Sequence, residues 1–338
     1  MERYSRQQLF VDIGEEGQRK ISESHVLVVG CGALGSTQAE LMARAGVGRL
    51  TILDRDILEL SNLQRQLLYD EQQWERKLPK AVAAEERLRQ LNSDIEVKGI
   101  VTDVRPVNIE HYLKDVDVVL DGTDNFETRL LINDACIKHN IPWVYGACVG
   151  SYGVFMPVLP QETPCLQCVF EAMPLPGTAQ TCDTAGVIGP IVTTISSLQC
   201  AEVMKILVGD LEAVRRTLFH IDLWDNHVAS IKLGQPRDNC PACQKQQWDY
   251  LQGKHHPNTS VLCGRNTVQV LPPQAEPLDL TTIAHQLEPY GAIQRNEHLV
   301  RCQMESHTLT LFADGRALIE GTQDPTEART LYARYIGT

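Results

Sequence analysis

Short uninterrupted apolar runs alternate along the first half of the chain with stretches in which apolar residues recur every three or four positions. The run 25–29 ends at a glycine-rich turn, a helical pattern follows through residue 45, and a second apolar run, 50–53, ends at Asp54. Continuous apolar runs mark strands buried on both faces, as in a parallel sheet, and the wider spacing marks helices packed against them. The same alternation predicts a helix over 80–92, a strand over 95–101, a helix near 108–113, a strand over 116–120 and a helix over 126–140. Between 143 and 159 it changes to two runs around Gly150 and Gly153, which predicts an antiparallel hairpin added to the parallel strands. The expected fold class is α/β, a Rossmann-like mixed sheet.

Further along, residues 171–185 contain two prolines and a glycine without periodicity and predict a loop. A helix of small residues follows over 189–208 and stops at Gly209, its low side-chain volume suiting a buried position. Residues 253–278 then hold four prolines and few helix signals. This divides the chain into a domain over 1–250, a linker over 251–275 and a small α+β domain over 276–338. The last contains a helix over 280–287, a strand near 299–304, a hairpin turning at Asp314-Gly315 and a final helix capped by Asp324-Pro325-Thr326-Glu327. A length of 338 residues agrees with more than one domain.

Composition narrows the classes. Hydrophobic residues make up 43% and charged residues 22%, the balance of a globular protein with a core. Acidic residues outnumber basic ones 43 to 31, for a net charge of −12, and no run of Lys and Arg could track a phosphate backbone, so nucleic acid is not an expected partner. The uncharged stretches 141–161 and 184–201 are interrupted by Gly and Pro, and the N-terminal Met-Glu-Arg-Tyr opens no apolar leader, so neither a membrane span nor export is expected. A cytoplasmic location follows by default. Eleven cysteines, several inside predicted strands and helices, point to reduced thiols, metal ligands or catalysis rather than a disulfide framework.

Three groups of residues carry chemistry. Gly30-Cys31-Gly32-Ala33-Leu34-Gly35 between a strand and a helix, with Asp54 closing the next strand, has the form of a βαβ nucleotide site. Glycines there let the backbone approach a phosphate, the helix N-terminus offers unpaired N–H groups, and the acid stands where a ribose hydroxyl would bind. Cys165-Leu-Gln-Cys168 and Cys240-Pro-Ala-Cys243 form two CxxC knuckles, the donor set of a closed tetrahedral zinc site, with a pair of redox dithiols as the other reading. Finally, Asn62, Arg65 and Gln66 share one face of a helical turn, Lys80 opens the next helix, and Asp121 and Asp124 follow a parallel strand. An Arg, a Lys and a free carboxylate suit displacement at phosphorus, with cations for the developing charge and an acid for Mg²⁺.

Tyr4-Ser5-Arg6-Gln7, the glycine turn, Asp54-x-Asp56, Asn62-Leu63-Gln64-Arg65-Gln66, Pro79-Lys80, Asp121-Gly-Thr-Asp124-Asn125, both CxxC pairs and Thr181-Cys182-x-Thr-Ala-Gly186 together resemble the ThiF/MoeB/HesA family of E1-like adenylyltransferases, over roughly residues 1–248. The resemblance implies a homodimer that uses MgATP to adenylate the C-terminal glycine of a ubiquitin-like sulfur carrier ending in Gly-Gly. The pathway it implies is thiamine thiazole formation, with the molybdopterin dithiolene as the alternative. A cysteine desulfurase or another sulfur donor would be a further partner.

The same resemblance implies an ATP site lined by Gly30, Gly32, Ala33, Gly35, Asp54, Ser61, Asn62, Leu63, Gln64, Arg65, Lys80, Asp124 and Asn125. Asp124 would hold magnesium, Arg6 would reach a neighbouring subunit's site, and Cys165, Cys168, Cys240 and Cys243 would hold zinc. It makes Arg6, Arg65, Lys80, Asp124 and Cys182 the catalytic set, Cys182 as the candidate for a covalent link to the carrier. The C-terminal extension is expected to help position carrier or subunit. An NAD-dependent oxidoreductase would account for Gly30 to Asp54 but leaves Asn62 to Gln66, Lys80 and the knuckles without a purpose. A non-catalytic zinc scaffold would not need the phosphate-binding residue types.

Overall fold

The computed structural model describes residues 2–170, 182–254, 259–262, 266–272 and 278–337. The chain divides into two compact units, Met1–His256 and Pro257–Thr338.

The first unit is built on an eight-stranded sheet in the order β3-β2-β1-β4-β5-β6-β7-β8. Its strands are β1 (His25–Val29), β2 (Arg49–Asp54), β3 (Glu96–Val101), β4 (Val118–Asp121), β5 (Trp143–Val149), β6 (Tyr152–Val158), β7 (Thr217–Asp222) and β8 (His227–Lys232). Pairing is parallel from β3 to β5, with Val28 opposite both Ile52 and Leu120, and antiparallel from β5 to β8. Every residue of β1 and β4 is buried, as their apolar runs require. The helix Ala33–Ala45 returns the chain from β1 to β2 and ends at Gly46, whose φ of 83° is the left-handed conformation glycine adopts without strain. Because β1, β2 and β4 run parallel, their carboxyl ends meet on one edge of the sheet, where open α/β folds bind ligands.

The helix Gly189–Val208 packs against Ala33–Ala45 and strands β5 and β6. Among the described residues it is long and apolar enough to cross a membrane, yet half of its most apolar window is buried inside this unit. Ile191, Val192, Ile195 and Val203 are fully enclosed, so its hydropathy is that of a core helix.

The structure differs from expectation at two places in this unit. Strands β7 and β8 do not appear in the apolar pattern, because His220, Asp222, Ser230 and Lys232 interrupt it and β8 is largely exposed. Within the expected loop over 171–185, Cys182–Ala185 forms a helical turn, and residues 171–181 lie outside the described residues. Asn62 to Gln66 stand in a helical turn, as their spacing suggests: a 3-10 turn, Leu60–Asn62, runs into it, and the N–H groups of Arg65 and Gln66 both reach the Asn62 carbonyl.

The second unit is a six-stranded antiparallel sheet in the order β11-β12-β13-β14-β10-β9. Its strands are β9 (Thr259–Leu262), β10 (Thr267–Val270), β11 (Ala292–Arg295), β12 (Leu299–Gln303), β13 (Thr308–Phe312) and β14 (Ala317–Glu320). Helices Leu280–Leu287 and Pro325–Tyr335 cover it through Ile283, Leu287 and Ala328. The expected linker 251–275 is corrected here: it carries β9 and β10, and the prolines that suggested a linker stand outside both strands. The Asp314-Gly315 turn joins β13 to β14 with Gly315 at φ 84°. Asp324 caps the last helix through the Thr326 N–H, but Glu327 accepts from the Thr322 hydroxyl instead of closing a capping box.

Candidate active site

The glycine turn is defined by what surrounds each glycine. Gly30 has φ 83°, and a Cβ there would stand 2.8 Å from the Gly122 carbonyl oxygen. A Cβ on Gly35 would stand 1.8 Å from the Gly30 carbonyl oxygen, so the first turn of the helix Ala33–Ala45 is seated directly on the ends of β1 and β4. Gly32 is different: the nearest atom to a Cβ there is Gln66 Nε2, 3.9 Å away. The chain therefore seals two glycines against backbone and leaves the third open, ahead of the unpaired N–H groups of the helix that begins at Ala33.

Asp54, at the end of β2, fixes this turn. Its Oδ2 accepts the Cys31 N–H at 2.6 Å and its Oδ1 accepts the Asp56 N–H at 2.6 Å. Burial pushes its pKa up, opposed by the positive charge of Lys80. Lys80 follows Pro79 at the first position of the helix Lys80–Leu91, is 3% exposed, and is paired with Asp56 at 3.0 Å. The Tyr69 hydroxyl stands 2.7 Å from the Cys31 carbonyl and 3.3 Å from the Lys80 carbonyl, so one buried phenol ties the glycine turn to the lysine helix. Burial drives its pKa well above the ordinary tyrosine value, so it remains a donor.

Arg65 and Gln66 approach the turn from the neighbouring loop. Arg65 donates from Nη1 to the Ser61 carbonyl at 3.0 Å, and its Nε is buried with no partner among the described residues. Gln66 is buried beside Gly32, and its Oε1 likewise has no partner there. Asn62 is buried and closes its own turn by accepting the Glu59 N–H. Leu63 is half-buried, whereas Ser61 and Gln64 are exposed.

On the third strand end, Asp121 is fully buried and paired with Arg129 at 3.2 Å. Arg129 also donates to the carbonyls of Thr123 (2.7 Å) and Gly146 (3.1 Å), which fixes the loop leading to Asp124. Asp121 is thus a structural anchor, while Asp124 is exposed and Asn125 caps the helix Phe126–His139 by accepting the Thr128 N–H at 2.9 Å. Arg55 feels the charges of Asp103, Asp56 and Asp124 together, which puts Asp124 in the same electrostatic neighbourhood as the end of β2. Arg6 stands apart, exposed on the turn Ser5–Gln8. Cys182 opens the turn Cys182–Ala185.

Sequence reasoning did not single out Tyr69 or Arg129, neither of which lies in a glycine or charge pattern. Changing Tyr69 to Phe removes a donor to two buried carbonyls, at an expected cost of about 1–3 kcal/mol. Thermal unfolding and the KM for ATP check this, the KM rising several-fold as the turn loosens.

The four knuckle cysteines converge. Their Sγ atoms all lie within 4.8 Å of one another, with contacts of 3.4 Å (Cys168 to Cys243), 3.6 Å (Cys165 to Cys240) and 4.0 Å (Cys165 to Cys168). A tetrahedron of ~2.3 Å Zn–S bonds has S···S edges of about 3.8 Å, so the donor set and its spacing fit a closed metal site. None of the nine cysteines whose side chains are described is in a disulfide.

The ThiF family pattern matches residues 4–242. A sulfur carrier protein ThiS adenylyltransferase of Bacillus subtilis (strain 168) is 44% identical over 337 residues, covering 99% of each chain. A sulfur carrier protein adenylyltransferase of Thermus thermophilus is 36% identical over 262 residues, 74% of this chain and 95% of that protein. Among solved structures, E. coli MccB with ATP aligns with a TM-score of 0.62 at 21% identity, covering 71% of this chain and 74% of that one, a likeness of fold.

Proposed function

Since the chain belongs to the ThiF family, we propose that it uses ATP to adenylate the C-terminal glycine of a ubiquitin-like sulfur carrier protein in the thiamine branch of sulfur transfer. The observation that carries this reading is the glycine turn, closed at Gly30 and Gly35 and open at Gly32 beside Gln66. The choice of carrier is supported by the Bacillus subtilis relative, whose similarity runs through the second unit as well. The MOCS3 adenylyltransferase and sulfurtransferase of Xenopus laevis, at 35% identity, covers 71% of this chain and favours the molybdenum-cofactor carrier as the second reading.

In this reading a carboxylate oxygen of the carrier's terminal glycine attacks the α-phosphorus of ATP, the bond to the β-phosphate oxygen breaks, and pyrophosphate leaves. A C-terminal carboxylate has a pKa of roughly 3.5 and is already ionised at neutral pH, so the site needs orientation and charge neutralisation rather than a base. Gly32, Ala33 and the helix N–H groups cradle the phosphates, with Gly30 and Gly35 shaping the turn. Asp54 meets the ribose. Ser61, Asn62, Leu63 and Gln64 carry the loop that aims Arg65 and, with Lys80, hold the triphosphate. Asp124 and Asn125 flank it, and magnesium bound at Asp124 would neutralise charge on the departing pyrophosphate. Four thiolates around zinc leave no open position, which makes that site structural.

Arg6 completes the site of a second copy of the chain. The exposure of Leu9 (73%), Phe10 (55%) and Val11 (87%) directly after its turn supports an interface there. A cytoplasmic location belongs to this reading. The Cys182 thiolate attacks the acyl carbonyl of the carrier adenylate, a thioester forms and AMP leaves, and a cysteine desulfurase or similar donor is the source of the sulfur that then replaces it. Replacing Cys182 with Ser should leave pyrophosphate release intact and lower sulfur transfer to the carrier; unchanged transfer would remove Cys182 from the chemistry. The choice of carrier is tested by acyl-adenylate formation with purified thiamine-type and molybdopterin-type carriers. The thiamine type should be adenylated with the higher kcat/KM, and the reverse ranking would assign the enzyme to the other pathway.

A further inference from the structure

Asn133 and Asp134 stand side by side in the helix Phe126–His139, both fully buried. A buried amide and a buried carboxylate are unfavourable unless their polar atoms are paired. Here both oxygens of Asp134 and the Oδ1 of Asn133 pair with the segments that carry the cysteines, while Asn133 Nδ2 has no partner among the described residues. Asn133 Oδ1 accepts the Leu166 N–H at 2.8 Å, and Asp134 Oδ1 accepts the Gln167 side-chain amide at 2.7 Å. Asp134 Oδ2 accepts the backbone N–H groups of Tyr250 (3.1 Å) and Leu251 (3.4 Å). Leu166 and Gln167 are the two residues between Cys165 and Cys168, and Tyr250 and Leu251 follow the second knuckle. The Leu166 N–H is also the first of the short helix Leu166–Val169, a donor with no partner inside that helix. From the other side, the Arg237 guanidinium, just ahead of Cys240, donates to the Gln167 carbonyl at 2.7 Å.

We propose that Asn133 and Asp134 are positioning residues of the metal site, a clamp that holds both knuckles on one helix. The two knuckles are distant in sequence, and four thiolates brought together repel one another until a cation joins them. A clamp that fixes both segments through neutral N–H donors offsets the entropy of assembling the site and leaves the thiolates to bind. These bonds reach residues of the knuckle segments rather than the sulfurs, so the expected change in metal affinity is about tenfold, the low end of the range for outer-shell partners. Asn125 caps the same helix, so the clamp also joins the knuckles to the helix that follows the end of β4. This inference rests on the reading of the cysteine cluster as a zinc site.

The test uses the full chain and measures zinc affinity by competition with a chromogenic chelator, together with thermal unfolding of zinc-loaded and zinc-stripped protein. Asn133→Ala should weaken zinc binding by about tenfold, and Gln167→Met, which removes one bond at similar volume, by a smaller factor. Both should narrow the gap between the loaded and stripped midpoints. A purely structural contact would instead lower both midpoints together at unchanged affinity. Gln167→Met leaves the helix itself untouched and carries the test should Asn133→Ala not fold. A parent that binds zinc, with a variant of equal affinity, overturns the clamp alone; a parent that binds no zinc overturns the metal reading and the clamp with it.

Discussion

Replacing Arg65 with alanine is expected to lower carrier-dependent pyrophosphate exchange by about 10²–10³-fold, the loss typical when a donor to developing charge is removed. The fold should hardly notice. The hydrogen bond described for Arg65 runs to the Ser61 carbonyl on an exposed turn, and a substitution at such a position usually changes stability by about 0.5 kcal/mol or less. What distinguishes Arg65 from other arginines with a buried, unpartnered Nε is its place on the loop that reaches Gly32 through Gln66. A guanidinium held this way is worth most once phosphate oxygens take up charge. The expected result is therefore a fall in kcat with an unchanged unfolding midpoint. Parent-like exchange by Arg65→Ala would reduce this residue to an ordinary surface charge.

Gly35→Ala is expected to destabilise the first unit by about 3 kcal/mol or more, beyond the usual range for overpacking by one methyl. The added Cβ would stand 1.8 Å from the Gly30 carbonyl oxygen and 3.3 Å from Val28 Cγ1. The first contact is with backbone, so no side chain can swing away, and the helix must lift from the ends of β1 and β4. For a unit of this size that is a drop of roughly 6–12 °C in midpoint. Gly32→Ala makes the informative contrast. Its φ is −77° and the nearest atom is 3.9 Å away, so stability should fall by no more than about 1 kcal/mol. ATP binding, in contrast, should weaken about tenfold or more, since the methyl group occupies the space through which backbone N–H groups reach a phosphate. Equal effects of the two substitutions on stability would contradict the division of labour in this turn.

The parallel half of the sheet was legible because burial on both faces makes a strand an unbroken apolar run, as in β1 and β4. Strands β7 and β8 were not, since one face meets water and His, Asp, Ser and Lys break the run; the signal that could have found them is the Asp225-Asn226 turn, where Asn226 takes φ 53°. The prolines near 253–278 read as a linker although they only flank β9 and β10. At the site, the glycines and charged motifs were readable as residue types with fixed spacing. Tyr69 was not, because its hydroxyl acts between two segments that meet only in the folded chain. Asn133 and Asp134 escaped for a related reason: polar residues inside a helix read as its wet face, whereas this helix is buried from Arg129 through Cys136. Asp121 lay in a readable motif, yet its pairing with Arg129 assigns it to the scaffold rather than to the nucleotide.

The most direct test of the account is exchange of labelled pyrophosphate into ATP by the purified full chain, with and without a sulfur carrier protein, and with the same carrier lacking its terminal glycine. Exchange that appears with the intact carrier and magnesium, and is absent without the carrier or with the truncated one, is the predicted result. Exchange independent of the carrier, or none with any intact carrier that ends in Gly-Gly, would contradict adenylation of a carrier C-terminus as the function of this site.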